Sequence, residues 1–259
     1  MTETIVMIHG MWGGGWYWEN YKQFFAQKRY HCITPTLRFH DVDSKEPPHP
    51  QLGTTSLLDY AGDLEKEINK LDSPPVLIGH SMGGLLAQIL GSRGLARALV
   101  LLAPAWPHGI MALRPSILRS FWTLLLQYGF WKKPVRQTFN EAAYSMLHLM
   151  TVTEQREIYN KFVYESGRAA LEIGLSFLDP KKASKVNESN ITCPVLVIAG
   201  TQDRITPASV VRKVANKYSA VSTYREFTNH AHWVVGEPGW QEIAEYISDW
   251  LNQALNKNR

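Results

Sequence analysis

The residue with the clearest chemical potential is Ser81, at the centre of the pentapeptide GHSMG at residues 79–83. The apolar run 75–78 before it is typical of a buried strand, and residues 82–93 after it have the composition of an apolar helix. A serine at such a strand-to-helix turn has a strained backbone and an exposed hydroxyl, and the flanking glycines leave room for the turn. The helix directs free N–H groups and the positive end of its dipole at the atom that the serine attacks. The pentapeptide therefore predicts a nucleophile rather than a serine that only caps a glycine-rich helix.

A serine hydroxyl is a weak nucleophile near neutral pH, so a base and a group that orients the base must come from elsewhere in the chain. His80 is adjacent, but consecutive side chains at a strand end diverge, which makes it a poor base. His230 and His232 are better candidates, because both follow the last predicted strand. Asp203 comes soon after the apolar strand predicted at residues 194–199, which places its carboxylate on a loop at the carboxyl edge of the sheet. Order and placement give the series Ser81, Asp203, His232.

The elements that must position these residues alternate along the chain. The predicted strands are residues 4–8, 30–34, 75–78, 98–103, 194–199 and 222–227. The predicted helices are residues 16–27, 56–71, 82–93, 208–217 and 240–255. Because near-continuous apolar strands alternate with helices, we predict an α/β fold with a mostly parallel sheet of about six strands and helices on both faces.

Residues 106–190 break this alternation, because they lie between two predicted strands yet are mostly helix-like and rich in large apolar groups. Most of those groups are expected to form the insertion's own small core. The insertion follows the carboxyl end of a strand, where open α/β sheets bind ligands, so we expect part of it to roof a pocket over the serine. The predicted domains are a core of residues 1–105 and 191–259 and a helical cap, or lid, of residues 106–190. The candidate pocket residues are Trp12, Trp106, Trp122, Phe130 and Trp233.

Composition narrows the remaining possibilities. With 259 residues, of which 45% are hydrophobic, the chain suits one large α/β domain or two small ones. The 27 basic and 23 acidic residues, which give a net charge of +4, are spread along the chain, and no arginine stripe with interleaved aromatics indicates nucleic-acid binding. Cys32 and Cys193 fit isolated thiols in a reducing compartment better than a disulfide, although pairing stays open. The first four residues leave no room for a signal peptide and no apolar run reaches transmembrane length, so we expect a cytoplasmic protein without a membrane span.

Over nearly its whole length the chain resembles an α/β-hydrolase. Its segment HGMWGGGWYW at residues 9–18 is similar to the HG-x-x-x-G-G-W segment of the plant methylesterase and hydroxynitrile-lyase branch. GHSMGG at residues 79–84 and the G-x-x-D-x-x-x-P pattern at residues 200–207 are typical of bacterial esterases, lactonases and cofactor-free perhydrolases. The resemblance implies the α/β-hydrolase fold, with the backbone N–H groups of Met11 and Met82 forming an oxyanion hole.

The resemblance also bears on the choice between the two histidines. The family's catalytic histidine is commonly followed by an aromatic or aliphatic residue and, some residues later, by an acid and a proline. Trp233 and the pair Glu237-Pro238 stand in these places after His232, which favours His232 over His230. A metal-binding His-x-His pair is a weaker interpretation, because no further His, Asp or Cys follows at ligand spacing.

Together, the residues and the resemblance predict a serine carboxylesterase that needs neither a metal nor a cofactor. It would hydrolyse small to medium apolar esters through an acyl-enzyme on Ser81, with a small-molecule ester as its partner and its oligomeric state left open. A cofactor-free perhydrolase or lactonase-type hydrolase with the same triad, and a non-catalytic small-molecule receptor on the same fold, stay open as alternatives. Hydroxynitrile lyases of the similar branch have threonine in place of the glycine of HG and lysine directly after the catalytic histidine. This chain has Gly10 and Trp233 there, which disfavours lyase activity.

Overall fold

A six-stranded parallel sheet forms the centre of the computed structural model, which describes residues 3–112 and 114–256. In chain order the strands are β1 (Thr4–Ile8), β2 (His31–Ile33), β3 (Val76–His80), β4 (Ala98–Leu102), β5 (Pro134–Val135), β6 (Glu165–Ser166), β7 (Val195–Gly200) and β8 (Ser222–Phe227). The central sheet has the order β2-β1-β3-β4-β7-β8, and β5 and β6 form a separate antiparallel pair. Every residue of β3, β4 and β7 is buried. Since successive side chains of a strand point to opposite faces, both faces of the sheet are covered, which confirms the predicted α/β architecture.

Ten α-helices accompany the strands in the described part of the chain. In chain order they are α1 (Glu19–Gln27), α2 (Leu57–Ile68), α3 (Met82–Gly91), α4 (Pro115–Ser120), α5 (Trp122–Leu126), α6 (Phe139–Ser145), α7 (Val152–Tyr159), α8 (Gly167–Gly174), α9 (Ala208–Lys217) and α10 (Trp240–Asn256). Helix α3 packs against β1, β3 and β4, whereas α9 packs against β7 and β8. The predicted helix over residues 16–27 is divided into a short 3-10 turn, Gly15–Trp18, and α1.

Residues 106–190 contain five of these helices, α4 to α8, and also the β5–β6 pair that the sequence did not predict. The short helices α6 and α7 begin at capping boxes, in which Thr138 pairs with Glu141 and Thr151 with Glu154. A capping box satisfies free N–H groups at a helix start, so it defines where each helix begins even though neither exceeds eight residues.

Two buried carboxylates join residues 106–190 to the rest of the chain. The first is that of Glu165 on β6, which lies 3.0 Å from His40 Nε2 and accepts a 2.7 Å hydrogen bond from the Tyr60 hydroxyl. The second is that of Glu172 on α8, which accepts hydrogen bonds from the Ser56 hydroxyl and the Leu57 N–H at the start of α2. Loss of one partner from such a buried pair typically costs about 3–5 kcal/mol, because the other partner stays buried and unpaired.

The two cysteines are far apart in the sheet. Cys32 is on β2 and Cys193 immediately precedes β7, so four strand spacings, or about 19 Å, separate them. A disulfide requires Cα atoms within about 7 Å, and both thiols are free. Within residues 3–112 and 114–256, no helix combines the length and apolar character needed to span a membrane. The predicted outer bounds of the core domain and the expected start without a leader fall on residues 1–2 and 257–259, outside the described residues.

Candidate active site

Ser81 occupies the sharp turn between β3 and α3. Its backbone has φ 54° and ψ −120°, a conformation that is costly for a residue with a side chain. The two flanking glycines make the turn possible, because a Cβ on Gly79 would lie 2.3 Å from the Gly83 carbonyl oxygen, and one on Gly83 would lie 2.1 Å from the Ile8 carbonyl oxygen. The turn therefore holds the Ser81 hydroxyl at the carboxyl edge of the sheet, in the place that the sequence predicted.

The three predicted triad side chains lie in hydrogen-bonding order. Ser81 Oγ is 2.9 Å from His232 Nε2, and His232 Nδ1 is 2.7 Å from Asp203 Oδ2. Because the aspartate accepts from Nδ1, the network assigns the ring proton to Nδ1 and leaves Nε2 free to accept from the serine hydroxyl. Both His232 and Asp203 are buried. This arrangement can transfer a proton from the serine to the histidine while the carboxylate stabilises the imidazolium that forms.

Asp203 is held as a carboxylate by several donors. Its Oδ1 accepts 2.8 Å hydrogen bonds from the N–H groups of Ile205 and Thr206, and its Oδ2 lies 2.7 Å from the Thr206 hydroxyl. Burial alone would raise the pKa of Asp203, but the His232 ring and the hydrogen bonds from His232 and Thr206 outweigh burial and keep that pKa below its ordinary value. Sequence reasoning missed Thr206, although its position three residues after the aspartate suits such a local hydrogen bond.

The other two nearby histidines have different partners. His230 Nδ1 lies 2.9 Å from the Glu237 carboxylate, which also accepts the Ala231 N–H. Thus the acid whose position favoured His232 in the sequence in fact contacts His230. His80 Nε2 donates to the His232 carbonyl oxygen at 2.8 Å, so its ring contacts the backbone of His232 rather than the serine. Burial, and next the nearby His232, lower the pKa of His80 to about 3.

Met11 and Met82 border the same cavity as Ser81. Met82 is the first residue of α3, so its N–H has no carbonyl partner inside the helix. The turn at Met11 is fixed from both sides, because His9 Nδ1 donates to the Gly10 carbonyl oxygen at 2.8 Å and the Tyr17 hydroxyl donates to the Met11 carbonyl oxygen at 2.8 Å. These positions suit backbone donors directed at an oxygen that becomes negative next to the serine.

An apolar cavity opens above the serine. Apart from Ser81 and Thr206, its wall is apolar or glycine, and no described residue of the wall is charged. The wall residues outside the insertion are Met11, Ser81, Met82, Ala105, Ile205 and Thr206. Those from residues 106–190 are Trp106, Ala112, Ile117, Leu118, Phe121, Leu124, Leu125, Phe130, Ala170, Ile173, Gly174 and Leu175. Such a cavity fits an apolar ligand that has its one reactive polar group at the serine.

Of the five aromatic residues predicted for the pocket, the structure places Trp106 and Phe130 in the wall. Trp12 and Trp233 are buried in an aromatic cluster around Phe162, with ring centroids 6.4 and 6.2 Å from it. Trp122 lies outside the wall with 57% of its surface exposed. The wall residues on and after α8 were missed, because small and aliphatic side chains on an amphipathic helix give no signal beyond ordinary core packing.

The chain belongs to the alpha/beta hydrolase family, whose model matches residues 5–245. Among solved structures it is similar to a methylesterase from Arabidopsis (12% identity, 97% of this chain and 99% of that chain covered, TM-score 0.73). It is also similar to a thermophilic esterase from Thermogutta terrifontis (18%, 98% and 91%, 0.70) and to a monoacylglycerol lipase from Paleococcus ferrophilus (19%, 96% and 95%, 0.69). At these identities the similarity establishes the fold, and with the family match it confirms the predicted family. A comparison with curated proteins finds no match.

Proposed function

We propose that the protein is a serine carboxylesterase that hydrolyses small to medium apolar esters through an acyl-enzyme on Ser81. One observation carries the proposal: Ser81 forms part of the wall of an apolar cavity and begins a hydrogen-bonded series that continues through His232 to Asp203. The family match and the fold by themselves support a hydrolase with esterase-like structural relatives. The serine mechanism and the substrate class are the proposed part.

In the first half-reaction, Ser81 Oγ attacks the ester carbonyl carbon while His232 Nε2 takes the hydroxyl proton. The carbonyl oxygen becomes negative and is stabilised by the N–H groups of Met11 and Met82. When the tetrahedral intermediate collapses, the bond to the alcohol oxygen breaks and His232 gives its proton to that oxygen. Asp203 stays ionised throughout and stabilises the imidazolium.

In the second half-reaction, water takes the place of the alcohol. His232 accepts a proton from the water as its oxygen attacks the acyl carbon, and the same N–H groups stabilise the second intermediate. Collapse then breaks the bond to Ser81 Oγ, which regains its proton from His232, and the carboxylic acid leaves. The enzyme returns to its starting state with one water consumed for each ester cleaved.

The substrate class follows from the cavity wall. A wall without described charged residues offers no compensation for a charged acyl or alcohol group, so burial of such a group there would be costly. We also assign residues 106–190 the role of a cap, because they supply most of the cavity wall above the serine. An apolar acyl or aryl group of the substrate would lie against this cap, with the ester carbonyl at Ser81.

The proposal is tested by replacing Ser81. Ser81→Ala is expected to lower turnover of an aryl ester by about a million-fold, because loss of the nucleophile of such a triad removes the covalent route. A serine-directed phosphonate should label the wild-type protein at this residue and leave the variant unlabelled. Ser184→Ala is the matched control, since it removes a buried hydroxyl that is not in the cavity wall and should leave turnover unchanged.

The outcomes separate the enzyme from a receptor on the same fold. Binding of an ester analogue without any turnover by the wild-type protein would contradict the esterase and favour a receptor. Turnover by Ser81→Ala above about a hundredth of the wild-type rate would contradict the serine mechanism, because the expected loss is far larger. Near-UV circular dichroism of both variants checks that each keeps the wild-type fold.

A further inference from the structure

Exposed large apolar side chains are concentrated in residues 106–190. Among the described residues, nine of the eleven exposed large apolar side chains belong to this segment, and the two others are Val42 and Leu58. Six of the nine lie in two segments, residues 117–126 and 173–178, that also contribute residues to the cavity wall. These six are called here the apolar rim: Leu118, Trp122, Leu125, Leu126, Phe177 and Leu178. Their exposure is large, reaching 75% for Phe177. Scattered single apolar residues need no explanation, but a concentration of this kind indicates an interaction surface.

The apolar rim is continuous with the inside of the cavity. Leu118 and Leu125 are exposed and also form part of the cavity wall. On α5, Trp122 precedes Leu125 by three residues and Leu126 by four, so its side chain neighbours both. Phe177 and Leu178 follow Leu175, which is again a wall residue. The apolar rim and the wall of the cavity above Ser81 therefore share Leu118 and Leu125.

Positive charge accompanies the rim. Residues 106–190 carry eleven of the chain's 27 Lys and Arg but only seven of its 23 Asp and Glu, which leaves the remainder of the chain balanced at 16 of each. Basic residues occur along the whole chain, but the net charge of +4 arises within this segment. No acidic residue occurs between 106 and 140, where five basic ones occur.

Burial of acidic side chains increases this imbalance at the surface. Glu165, Glu172 and Asp179 are buried. Glu165 is paired with His40, and Glu172 and Asp179 share Arg168 as their partner. Lys132 and Lys181, by contrast, are exposed within a few residues of wall or rim residues. The apolar rim is thus accompanied by exposed lysines that lie close to it in the chain.

We propose that the apolar rim docks the protein on an anionic lipid surface. Trp, Phe and Leu side chains flanked by lysines are the composition of segments that lie in a lipid interface, where the apolar groups enter the acyl boundary and the ammonium groups meet anionic headgroups. A second copy of the chain is a poorer occupant, because two rims face to face would bring their positive edges together. Docked in this way, the cavity mouth faces the lipid.

The test is sedimentation of the full-length protein with vesicles. We expect binding to vesicles of phosphatidylcholine mixed with phosphatidylglycerol and much weaker binding to phosphatidylcholine alone. Binding should also weaken as ionic strength rises from about 0.01 M to about 1 M, over which the screening length falls from roughly 30 Å to 3 Å. No ester has to be cleaved in this experiment, so its failure is distinguishable from a failure of the proposed esterase activity.

Paired variants separate the rim from other exposed apolar residues. Trp122→Ser with Phe177→Ser should weaken vesicle binding at least about tenfold, because two large apolar side chains are then no longer transferred from water into the lipid. The control is Val42→Ser with Leu58→Ser, at two residues that are each 40% exposed and lie outside the segment. The control should bind as the wild type does. Equal losses in the two double variants, or none in the rim variant, would overturn the proposal.

A second pair of variants tests the charge. Lys132→Gln with Lys181→Gln should weaken binding to the anionic vesicles by roughly fivefold for each lysine. Lys22→Gln with Lys213→Gln, at exposed lysines on α1 and α9, should leave it unchanged. Equal binding to neutral and anionic vesicles would overturn the anionic lipid surface as partner. So would a concentration-dependent dimer, seen by analytical ultracentrifugation and lost in the rim variant, because the occupant would then be a second copy.

Discussion

At the residue scale, Asp203 depends on more than its histidine partner. Ile205 and Thr206 donate backbone N–H groups to one carboxylate oxygen, and the Thr206 hydroxyl and His232 lie within hydrogen-bonding distance of the other. The threonine hydroxyl has one proton, and its contact with Asp203, at 2.7 Å, is shorter than its 3.0 Å contact with the Ala103 carbonyl oxygen. This geometry makes Thr206 a positioning residue for the acid of the proposed triad.

Thr206→Val should therefore lower kcat by about tenfold or more, because a hydrogen bond to a charged group is typically worth about 1.5–3 kcal/mol. Thr206→Ser keeps the hydroxyl and should keep most of the wild-type kcat. Steady-state kinetics on both variants also give KM, which should change less than kcat if the hydroxyl acts through Asp203. Equal damage in the valine and serine variants would mean that the threonine methyl group matters, and not the hydroxyl.

The two histidines of the His-x-His pair should behave differently. His232→Ala should cost nearly as much turnover as loss of Ser81, because it removes the only ring within hydrogen-bonding distance of the serine hydroxyl in the described structure. His230→Ala should keep most of the turnover and instead lower stability, since it leaves the Glu237 carboxylate buried without its ring partner. Rates at saturating substrate and melting temperatures measured on both variants check the pair. A dead His230→Ala enzyme with normal stability would reverse the assignment.

Local sequence was sufficient to place the candidate triad residues but not their surroundings. Ser81, Asp203 and His232 each come soon after the carboxyl end of a strand of the parallel sheet, so the order of strands alone brings them to one edge. Thr206 and the contact of Glu237 with His230 escaped prediction, because such partners are decided by loop conformation, for which apolar periodicity gives no information.

At the element scale, the strands and long helices were predictable and the interior of residues 106–190 was not. The six strands of the parallel sheet were found to within two residues, and four of them, β1, β3, β4 and β7, are almost continuous buried runs. Strands β5 and β6 have two residues each, too few for any pattern, and they pair only through tertiary contacts. The helical pattern also concealed which aromatic side chains face inward, and Trp122 was assigned to the pocket although it is largely exposed.

Phe130 and Trp122 now form a matched pair for testing the proposed cap. Phe130→Ala enlarges the cavity and should raise relative kcat/KM for longer acyl chains, with each methylene worth at most about 1–3 kcal/mol. It should also lower stability by about 3–5 kcal/mol, because a buried aromatic side chain is lost. Trp122→Ala should change neither the chain-length profile nor the melting temperature appreciably.

A milder variant, Ile173→Val, keeps the cap experiment informative if Phe130→Ala fails to fold. It removes one methyl group from a buried wall residue of α8 and should shift the chain-length profile in the same direction. The profile is measured with a series of aryl esters of increasing acyl length. An unshifted profile in both wall variants would place the acyl group of the substrate elsewhere and contradict the proposed role of residues 106–190.

At the scale of the whole molecule, buried histidines should make folding stability depend on pH. Burial, and next a neighbouring histidine, lower the pKa values of His9 and His80 from 6.5 to about 3. Below pH 6.5 the unfolded chain therefore binds protons that the folded chain does not. The free energy of unfolding should fall as the pH falls from 6.5 towards 3, by about 1.4 kcal/mol per pH unit for each group.

The variant that checks this is His80→Gln, which removes one of the two groups. Its free energy of unfolding should fall less steeply with falling pH between 6.5 and 4.5 than that of the wild type, whatever its absolute stability. His31→Gln, at an exposed position on β2, is the control and should keep the wild-type slope. Chemical denaturation at a series of pH values measures both. The range from pH 6.5 to 4.5 does not extend below the ordinary pKa values of Asp203 and Glu165. The pKa values of both carboxyl groups are lowered in the folded state, so their contribution to stability is lost only at lower pH.

His40 acts in the opposite sense and outside that window. Burial alone would lower the pKa of His40, but its contact with Glu165 outweighs burial and raises it. Its contribution to stability is therefore complete below pH 6.5 and is lost as the pH rises through its folded pKa. A slope for His80→Gln equal to that of the wild type between pH 6.5 and 4.5 would contradict the assignment of a neutral, buried His80.

The buried contacts of Glu165 and Glu172 also restrict how this molecule can be re-engineered. Transplanting the segment of a relative in place of residues 106–190 is an obvious route to a chimera with altered selectivity. A graft without a carboxylate at the first position would leave His40 and Tyr60 buried without their acceptor. One without a carboxylate at the second would leave the Ser56 hydroxyl and the Leu57 N–H at the start of α2 without theirs. Donor segments must therefore be chosen by these two attachment points first and by the shape of their cavity wall second.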